Sequence, residues 1–457
     1  MLPLEAPSLE ALALTENLAH RAQRPQATAG LTRLGAAAVP ALLAAIPAAL
    51  AVADGPLLRR LAQAAGRVRT AHSRQLLLHL AQGDNLFGRA AALHALGNFA
   101  PDPADAPALH AIVQDELRLA QHLLHGQAQL AAAHPALAAA LDYELGRLQA
   151  RLFDLLVQLY PAQAIADARR NVAQAGRERQ ANALEMLDNL IPRQIYQGLQ
   201  ALLDPEPLAH KLRVFDDLLG PPPATPAAAT LATRGTAAFT DWTVALALAA
   251  WQPTPTSLGA LPGHLLSANP LVRESAHAAR RVLALHHPAL YAALPRLHAS
   301  LAYMAHPSAH HHDAPARISA ADRVRILKST ALFAETPENV LSAIVPIMNE
   351  VEYAEPHQIF AQGDTGSSLF IVYEGQVGIY HGERLLATFG KGDFFGELAL
   401  LDAEPRSATA RTLGPALAFR LDQEDFYDVM EERPEVLRNI LRVLCQRLRR
   451  QNEKAAA

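Results

Sequence analysis

The first two thirds of the chain carry apolar residues at three- and four-residue spacing, broken by Pro, Gly, Asp and Asn. This spacing puts apolar side chains on one face of a helix, and the interruptions mark helix ends. A turn and helix are predicted over Leu34–Leu43, and a helix with a polar cap and a glycine stop over Asp84–Gly97. Related segments recur at Arg179–Leu187 and Asn269–Ala276. The pattern predicts an all-helical region over residues 1–305.

The recurring unit is a helix pair with a polar turn and a helix rich in small residues. Such pairs resemble HEAT-type repeats, which stack into a solenoid. The resemblance covers Thr32–Phe99 and Leu258–Leu285. Between Asp115 and Tyr160 the helices keep no repeat period, so an irregular helical bundle is the alternative. A break is expected near 220–226, where four of seven residues are proline.

A different pattern follows residue 319, where short apolar segments alternate with turn residues every eight to twelve positions. This spacing predicts a β-roll flanked by helices. The predicted strands are Leu369–Tyr373, Gln376–Tyr380 and Leu385–Phe389. The predicted helices are Val324–Ala331, Thr336–Asn349, Gln423–Glu432 and Pro434–Asn452. The fold class is therefore multidomain: an all-α, HEAT-like solenoid followed by an α+β roll.

The segment over residues 306–319 is rich in His and Pro and separates the two patterns. Its histidines and Asp313 are zinc-ligand types, but their spacing fits no structural zinc site. We expect a linker and no metal. The predicted domains are thus 1–305, 306–319 and 320–457.

Composition supports packed helices, because 51% of residues are hydrophobic but only 5% aromatic, so Ala and Leu dominate. The net charge is −4, and no basic face is visible apart from Arg447, Arg449 and Arg450. A duplex-DNA binder is therefore not expected. The single cysteine, Cys445, excludes intrachain disulfides and indicates a reducing, cytoplasmic location.

The segment Leu34–Ala53 has no charged residue and is about as long as a membrane span. It is dominated by Ala, and Pro40 and Pro47 are expected to break it into short helices. It also lies too far from Met1 for a signal peptide. We predict a helical pair within a soluble domain.

Candidate chemistry is concentrated between Phe394 and Thr409. Gly396 lets the backbone approach a ligand closely, and a helical turn begun at Glu397 offers amide N–H groups to an anion. Arg406 supplies a planar, permanently charged fork suited to phosphate. Glu397 can accept a hydrogen bond from a sugar hydroxyl. Together these groups suit a ribose phosphate.

Phe395–Leu400 followed by Pro405–Ala408 resembles the phosphate-binding cassette of cyclic-nucleotide-binding domains. That family includes the catabolite activator protein, protein kinase A regulatory subunits and cyclic-nucleotide-gated channels. Ile359–Asp364 and Gly392–Glu397 fit its barrel, and the resemblance spans about 130 residues.

The resemblance implies that Arg406 binds the exocyclic phosphate and that Glu397 accepts from the ribose 2′-hydroxyl. The remaining cradle would be built by backbone groups and one hydroxyl, from Gly396, Leu398, Ala399, Ser407 and Ala408. The alternative is a degenerate roll kept only for packing, which usually loses the Arg or the Glu. Both are present here.

The resemblance also bears on which nucleotide binds. Family members selective for cGMP often have Thr directly after the Arg, and this chain has Ser407. That favours cAMP, with cGMP as an open alternative. Gln451 and Asn452 match two positions that reach the adenine base in the activator protein. Both residues lie at the end of the helix predicted over Pro434–Asn452. The apolar face of that helix packs on the roll or pairs two subunits as a homodimer.

The sequence indicates which ligand the protein binds more clearly than what the protein does once the ligand is bound. No helix-turn-helix follows the last helix, and no kinase, cyclase or phosphodiesterase motif precedes the roll, so neither a transcription factor nor an enzyme is expected. The helical region also resembles the soluble C-terminal part of bacterial nucleotide-carrier-like membrane proteins, which implies a membrane transporter-like partner. The preferred function is a cyclic-nucleotide-sensing regulatory protein whose helical repeats bind a protein partner. The alternative is an enzyme with its site between Asp115 and Pro221, which a polar cluster in a helical pocket would favour.

Overall fold

The chain divides into two compact units, residues 1–260 and residues 261–457. The computed structural model describes residues 6–52, 54–173, 177–222, 225–294, 318–397, 404–433, 436–443, 445–446 and 449. Most of the predicted linker, residues 306–317, lies outside these ranges. The predicted domain boundaries stay a prediction.

The first unit is helical throughout its described residues. Its α-helices are α1 Leu9–Asn17, α2 Arg24–Leu34, α3 Val39–Ala51, α4 Gly55–Val68, α5 Ala71–Gln82, α6 Leu86–Leu96, α7 Ala106–Leu130, α8 Pro135–Leu159, α9 Ala162–Ala173, α10 Arg177–Leu190, α11 Arg193–Leu203, α12 Leu208–Leu219, α13 Ala227–Arg234 and α14 Asp241–Ala249. Short 3₁₀ helices are Gly35–Ala38, Pro103–Asp105, Gly235–Ala237 and Leu258–Ala260.

Several helix ends follow the sequence signals. The side chain of Asn85 accepts from the Gly88 amide at 2.8 Å and caps α6, which Gly97 ends. The α12–α13 connector begins at Gly220, whose φ of 78° an L side chain rarely adopts. A Cβ at Gly66 in α4 would lie 3.1 Å from the Ala95 Cβ in α6. Small residues therefore let these two helices approach closely, while the HEAT-like stacking stays a prediction.

The apolar segment predicted as a helical pair over Leu34–Ala53 instead forms the 3₁₀ helix Gly35–Ala38 and one α-helix, α3, while α2 ends at Leu34 before Gly35 with its φ of 57°. The expected break at Pro47 is wrong, because Pro47 lies inside α3. Its ring is on the exposed side, while Ile46 and Ala49 beside it are buried. Packing of those neighbours holds the helix across the proline.

By length and composition alone, one helical stretch in the described part of the chain could cross a membrane. It runs over Arg24–Ala51, with a mean hydropathy of 2.0 and a third of its apolar window buried. Core helices and signal sequences meet the same criterion.

The two longest helices of the first unit, α7 and α8, pack against each other and bury a charged triad. Glu116 accepts from Arg89 Nη1 at 2.8 Å and from Arg151 Nη2 at 2.7 Å. All three side chains are at most 6% exposed. Burial raises the pKa of Glu116, but Arg151 and Arg89 outweigh it and hold that pKa below its usual range. The carboxylate is therefore ionised and is shared by two guanidinium groups.

In its described residues, the second unit contains five α-helices, then a two-sheet roll, then a further helical part. Its helices are α15 Leu261–Leu265, α16 Pro270–His286, α17 Pro288–Ala292, α18 Ala320–Ser329, α19 Glu338–Leu341 and α20 Gln423–Glu432, with a 3₁₀ helix at Val345–Ile347. Its strands are β1 Asn349–Tyr353, β2 Gln358–Phe360, β3 Ser368–Glu374, β4 Val377–His381, β5 Arg384–Phe389, β6 Phe394–Phe395, β7 Thr409–Thr412 and β8 Ala416–Asp422.

The strands form two antiparallel four-stranded sheets, ordered β1-β8-β3-β6 and β2-β7-β4-β5. The three predicted strands correspond to β3, β4 and β5, and the helix over Gln423–Glu432 is confirmed. The last predicted helix is described as helical over residues 436–443.

Two predicted helices at the start of the roll were wrong in extent. The first begins at Ala320 because Ser319 caps it, its Oγ accepting from the Asp322 amide at 3.1 Å. The second is short: only Glu338–Leu341 is α-helical. Residues 342–348 form a turn and the 3₁₀ helix Val345–Ile347, and Asn349, where the predicted helix was to end, is the first residue of strand β1, paired with β8.

Helix α16, which precedes the roll in the chain, belongs to the same compact unit as the roll. Helix α16 begins after Asn269, whose side chain accepts from the Leu271 amide at 2.9 Å. Further along, Glu274 Oε2 accepts from the Ala320 amide at 2.8 Å, at the first turn of α18. A carboxylate at a helix N-terminus also interacts favourably with the helix dipole. Helices α16 and α18 are thus joined directly.

The triad predicts a large stability effect at Glu116. Glu116→Gln leaves two buried guanidinium groups without their counter-ion, so we expect a loss of about 3–5 kcal/mol of unfolding free energy. Urea denaturation followed by tryptophan fluorescence measures it in the first unit, since Trp242 and Trp251 both lie there.

The matched control is Asp115→Asn, one residue away, which breaks an exposed pair with Arg118. It should change the unfolding free energy by no more than about 0.5 kcal/mol. The depressed pKa of Glu116 means that its contribution is complete above the usual glutamate pKa and is lost as the pH falls through the folded value. Equal losses in the two variants, or a pH-independent difference, would contradict the assignment.

Candidate functional site

An aromatic core between the two sheets supports the candidate site. Phe370 on β3 and Phe395 on β6 stack with their ring centroids 5.2 Å apart. Phe360, at the end of β2, lies 5.9 Å from Phe395 and closes the cluster from the other sheet. Packing against these buried rings therefore fixes the position of the Phe360 ring at the edge of the core.

The backbone at Arg406 is fixed by the loop between β2 and β3. The Arg406 amide donates to the Asp364 carbonyl at 2.8 Å, and the Gly363 amide donates to the Arg406 carbonyl at 2.8 Å. In the same loop, the Gln362 amide donates to Thr409 Oγ1 at 2.9 Å. These bonds hold the residue just before β7 against the β2–β3 loop.

The Arg406 side chain turns inward over the aromatic core. It is only 6% exposed, and its Cζ lies 4.1 Å from the centroid of the Phe360 ring. This is a close cation–π contact. Its Nη1 donates to the Gly396 carbonyl at 3.2 Å, across the chain segment that separates them. The guanidinium is therefore held from below by a ring and from one side by a carbonyl.

Two glycines leave the room that the guanidinium occupies. A Cβ on Gly366 would lie 2.5 Å from Arg406 Nε, and a Cβ on Gly396 would lie 2.6 Å from Arg406 Nη1. Real Cβ atoms do not approach so closely. Gly396 also has a φ of 80°, which favours glycine. Any side chain at either position would displace the Arg406 head group.

The electrostatics of Arg406 indicate an anion site. Burial lowers the pKa of Arg406, and the Asp364 carboxylate opposes this. Arg406 Nε is buried without a hydrogen-bond partner in the described chain, and no ion pair to Arg406 is formed there. A buried cation is costly unless an anion accompanies it. The geometry therefore fits a phosphate group, which can accept from several N–H donors of one guanidinium.

The structure brings two of the sequence-predicted site residues, Gly396 and Arg406, into direct contact. Glu397 follows Gly396 and is partly buried, whereas Ser407 is exposed and Ala408 partly buried. The other predicted site residues, Leu398, Ala399, Gln451 and Asn452, lie outside the described residues. Their roles stay predictions.

Sequence reasoning missed three contributors: Phe360, Asp364 and Gly366. Two of them lay inside Ile359–Asp364, which indicated the barrel but not a contact with Arg406. Gly366 follows in a loop just before a buried strand, a position that signals a close backbone approach. Among the residues described, no group of three His, Cys, Asp or Glu side chains is arranged to hold a metal ion.

Comparison with known proteins agrees with this geometry. Residues 350–433 match the cyclic nucleotide-binding domain family. A CRP-like cAMP-activated global transcriptional regulator from Mycobacterium tuberculosis is 32% identical over 136 residues, which are 29% of this chain and 61% of the relative. A cGMP-dependent protein kinase from Eimeria tenella is 30% identical over 133 residues, 29% of this chain and 13% of the kinase. The crystal structure of the Thermus thermophilus catabolite activator protein is similar at 30% identity, covering 28% of this chain and 62% of that one, with a TM-score of 0.26.

The family match lies within the second unit, and the chain spans about three fifths of the length of the M. tuberculosis regulator. The second unit therefore contains a cyclic nucleotide-binding domain.

The glycine walls give a prediction for ligand binding. Gly366→Ala places a methyl group where the Arg406 guanidinium lies, so we expect cyclic-nucleotide binding to weaken about tenfold or more while the domain stays folded. Calorimetric titration with cAMP measures the change. Gly390→Ala is the matched control, because nothing lies within 4 Å of a Cβ there. An unchanged affinity in Gly366→Ala would show that Arg406 does not need this space.

Proposed function

We propose that this protein is a cyclic-nucleotide-sensing regulatory protein that binds cAMP in its C-terminal roll. The single observation that carries the proposal is the buried Arg406 guanidinium. It is seated on Phe360 between two glycines, and its Nε has no hydrogen-bond partner in the described chain. It lies within the residues that match the cyclic nucleotide-binding domain family. A cyclic phosphate supplies the anion that this cation lacks.

In the proposed complex, Arg406 donates to the exocyclic phosphate oxygens. Glu397, next to Gly396 at the start of the cassette, accepts from the ribose 2′-hydroxyl. The amides of Leu398, Ala399 and Ala408 and the exposed Ser407 hydroxyl complete the cradle. Gln451 and Asn452 would reach the base once the last helix closes over it.

The ligand is proposed to be cAMP, with cGMP as the alternative. Ser407 directly after Arg406 supports this choice. The relatives include both a cAMP-activated regulator and a cGMP-dependent kinase, so they support either nucleotide.

The output is proposed to be non-catalytic. The helical first unit, as a HEAT-like scaffold, would pass the signal to a protein partner, such as a membrane transporter-like protein. Pairing through the C-terminal helix would give a homodimer. No DNA contact is proposed, and the location would be cytoplasmic or peripheral to a membrane through the partner.

An enzyme under cyclic-nucleotide control is the second candidate. One observation favours it: the first unit has a cleft of about 560 Å³ lined by polar side chains of α7 and by the α12–α13 connector. Part of its lining comes from the helices between Asp115 and Pro221, the region where the sequence allows an enzyme site.

Replacing Arg406 tests the main proposal. Arg406→Ala should cost about 2–5 kcal/mol of cAMP binding, because a buried phosphate would lose its charged partner. Calorimetric titration of cAMP and cGMP measures both affinity and preference.

Arg411→Ala on β7 is the matched control for Arg406→Ala. Arg411 is near in sequence, but it contacts the exposed carboxylate of Glu383. Its removal should leave cAMP affinity within twofold of the wild type. Tight binding of cAMP to Arg406→Ala would refute the proposed site.

The proposed sugar contact predicts a ligand-dependent effect at Glu397. Glu397→Gln should weaken cAMP more than 2′-deoxy-cAMP, because the deoxy ligand has no 2′-hydroxyl to donate. Competition with a fluorescent cyclic nucleotide measures both affinities. Equal losses for the two ligands would assign Glu397 to the shape of the cradle and not to the sugar.

A further inference from the structure

The cleft in the first unit has a definite chemical character. We define the α7 cleft as the cavity of about 560 Å³ between α6, α7, α13 and the α12–α13 connector. Its apolar wall consists of Leu119, Leu219, Pro221 and Pro222. Its polar wall carries Arg118, His122, Thr230 and Arg234, with Asp84 and Asp115 at exposed positions. A ligand with one apolar side and one polar end fits this division.

The connector wall is held in place by α7. Gln121 Nε2 donates to Asp216 Oδ1 at 2.8 Å and to the Gly220 carbonyl at 2.6 Å. His125 lies one turn further along the same helix and hydrogen bonds to Asp216 at 2.8 Å. These bonds fix the last turn of α12 and the first residue of the connector, directly before Pro221 and Pro222. The cleft is therefore built by the fold and does not depend on an exposed loop alone.

Positive charge exceeds negative charge at the base of the α7 cleft. Arg89, which lines the cleft, and Arg151 behind it share the single carboxylate of Glu116. Arg118 is already paired with Asp115 at 3.3 Å. Arg234 is partly buried and contacts the Phe239 ring at 5.8 Å, but it forms no ion pair with any described residue.

Arg234 is the group that this arrangement leaves uncompensated. Burial lowers the pKa of Arg234, and the nearby Arg89 lowers it further, while Glu116 and Asp84 oppose them only from a distance. Retaining a desolvated guanidinium without a counter-ion costs free energy. His122 and Thr230 line the same cleft as Arg234 and are suited to an anion, since His122 Nε2 lies 3.4 Å from the Thr230 hydroxyl. Burial, Arg234 and His125 lower the pKa of His122, so its imidazole is neutral at pH 7 and can donate one N–H.

We propose that the α7 cleft binds a small organic anion, with its phosphate or carboxylate group on Arg234, His122 and Thr230 and its apolar part against Leu219, Pro221 and Pro222. This site is separate from the cyclic-nucleotide site and does not depend on it, because it lies wholly within the first unit. The protein would then bind a second small molecule besides the cyclic nucleotide.

The test uses inorganic phosphate and citrate as probes of the two anionic groups, with chloride at equal ionic strength as the reference. All titrations are made on the full chain carrying Arg406→Ala, so that the roll cannot contribute an anion site. Calorimetry should show saturable binding of phosphate, citrate or both. The tighter probe identifies the preferred group.

The matched variants are Arg234→Gln and Arg118→Gln, which both remove a guanidinium from the same cleft. Arg234→Gln should weaken the bound probe about tenfold or more, whereas Arg118→Gln, whose arginine is already paired, should change it less than twofold. In the absence of anion, Arg234→Gln should be at least as stable as its parent, because an uncompensated cation is removed.

Three results would overturn the proposal. One is the absence of saturable binding with either probe. Another is equal weakening by Arg234→Gln and Arg118→Gln, which would indicate an effect of overall charge. The third is an Arg234→Gln variant that unfolds at lower urea yet binds the probe as tightly as its parent, because Arg234 would then be structural. None of these results bears on cAMP binding by the unsubstituted roll.

Discussion

The candidate site depends on the absence of two Cβ atoms. Gly366 and Gly396 leave a slot whose floor is the Phe360 ring, and Arg406 occupies it. The slot makes the guanidinium rigid before any ligand arrives, which lowers the ordering cost of binding. It also removes water from the Arg406 side chain, so an anion bound there interacts in a medium of lower dielectric constant than bulk water. The aromatic core, the β2–β3 loop and the start of β7 all serve to maintain this one contact.

The Glu116 triad and Arg406 show two different ways of handling buried positive charge. In the helical unit, Arg89 and Arg151 are compensated internally by Glu116, so the triad supports the packing of α7 and α8. In the roll, Arg406 has no such partner among the described residues, and the compensation is left to a ligand. A buried ion pair adds to the specificity of a fold, whereas a buried single charge favours a binding partner that completes it. The contrast explains why Arg406 was recognisable as functional from its surroundings as well as from its motif.

How much could be predicted from the sequence depends on the range of the interactions. Local signals were sufficient for the cap at Asn85, the stop at Gly97, the break after Leu219 and strands β3 to β5, since each depends on neighbouring residues. The continuation of α3 through Pro47 and the early end of the helix predicted over Thr336–Asn349 could not be predicted from local signals, because tertiary packing decides them. In the site, the motif identified Gly396 and Arg406. The roles of Phe360 and Gly366 required the fold, because only the fold brings the β2–β3 loop against Arg406.

The hydrogen bond from the Ala320 amide to Glu274 has a practical consequence for dividing the chain. A fragment cut at the linker would remove α16, expose the side of α18 that α16 covers, and leave the Ala320 amide without Glu274 as its acceptor. Since Leu271, Val272, Ala276 and Leu283 are buried within α16, the interface removed is apolar as well as polar. The shortest piece that keeps this half intact therefore starts near residue 261, well upstream of the point where the repeat pattern ends in the sequence. Chain breaks chosen from sequence homology alone would fall inside a packed interface.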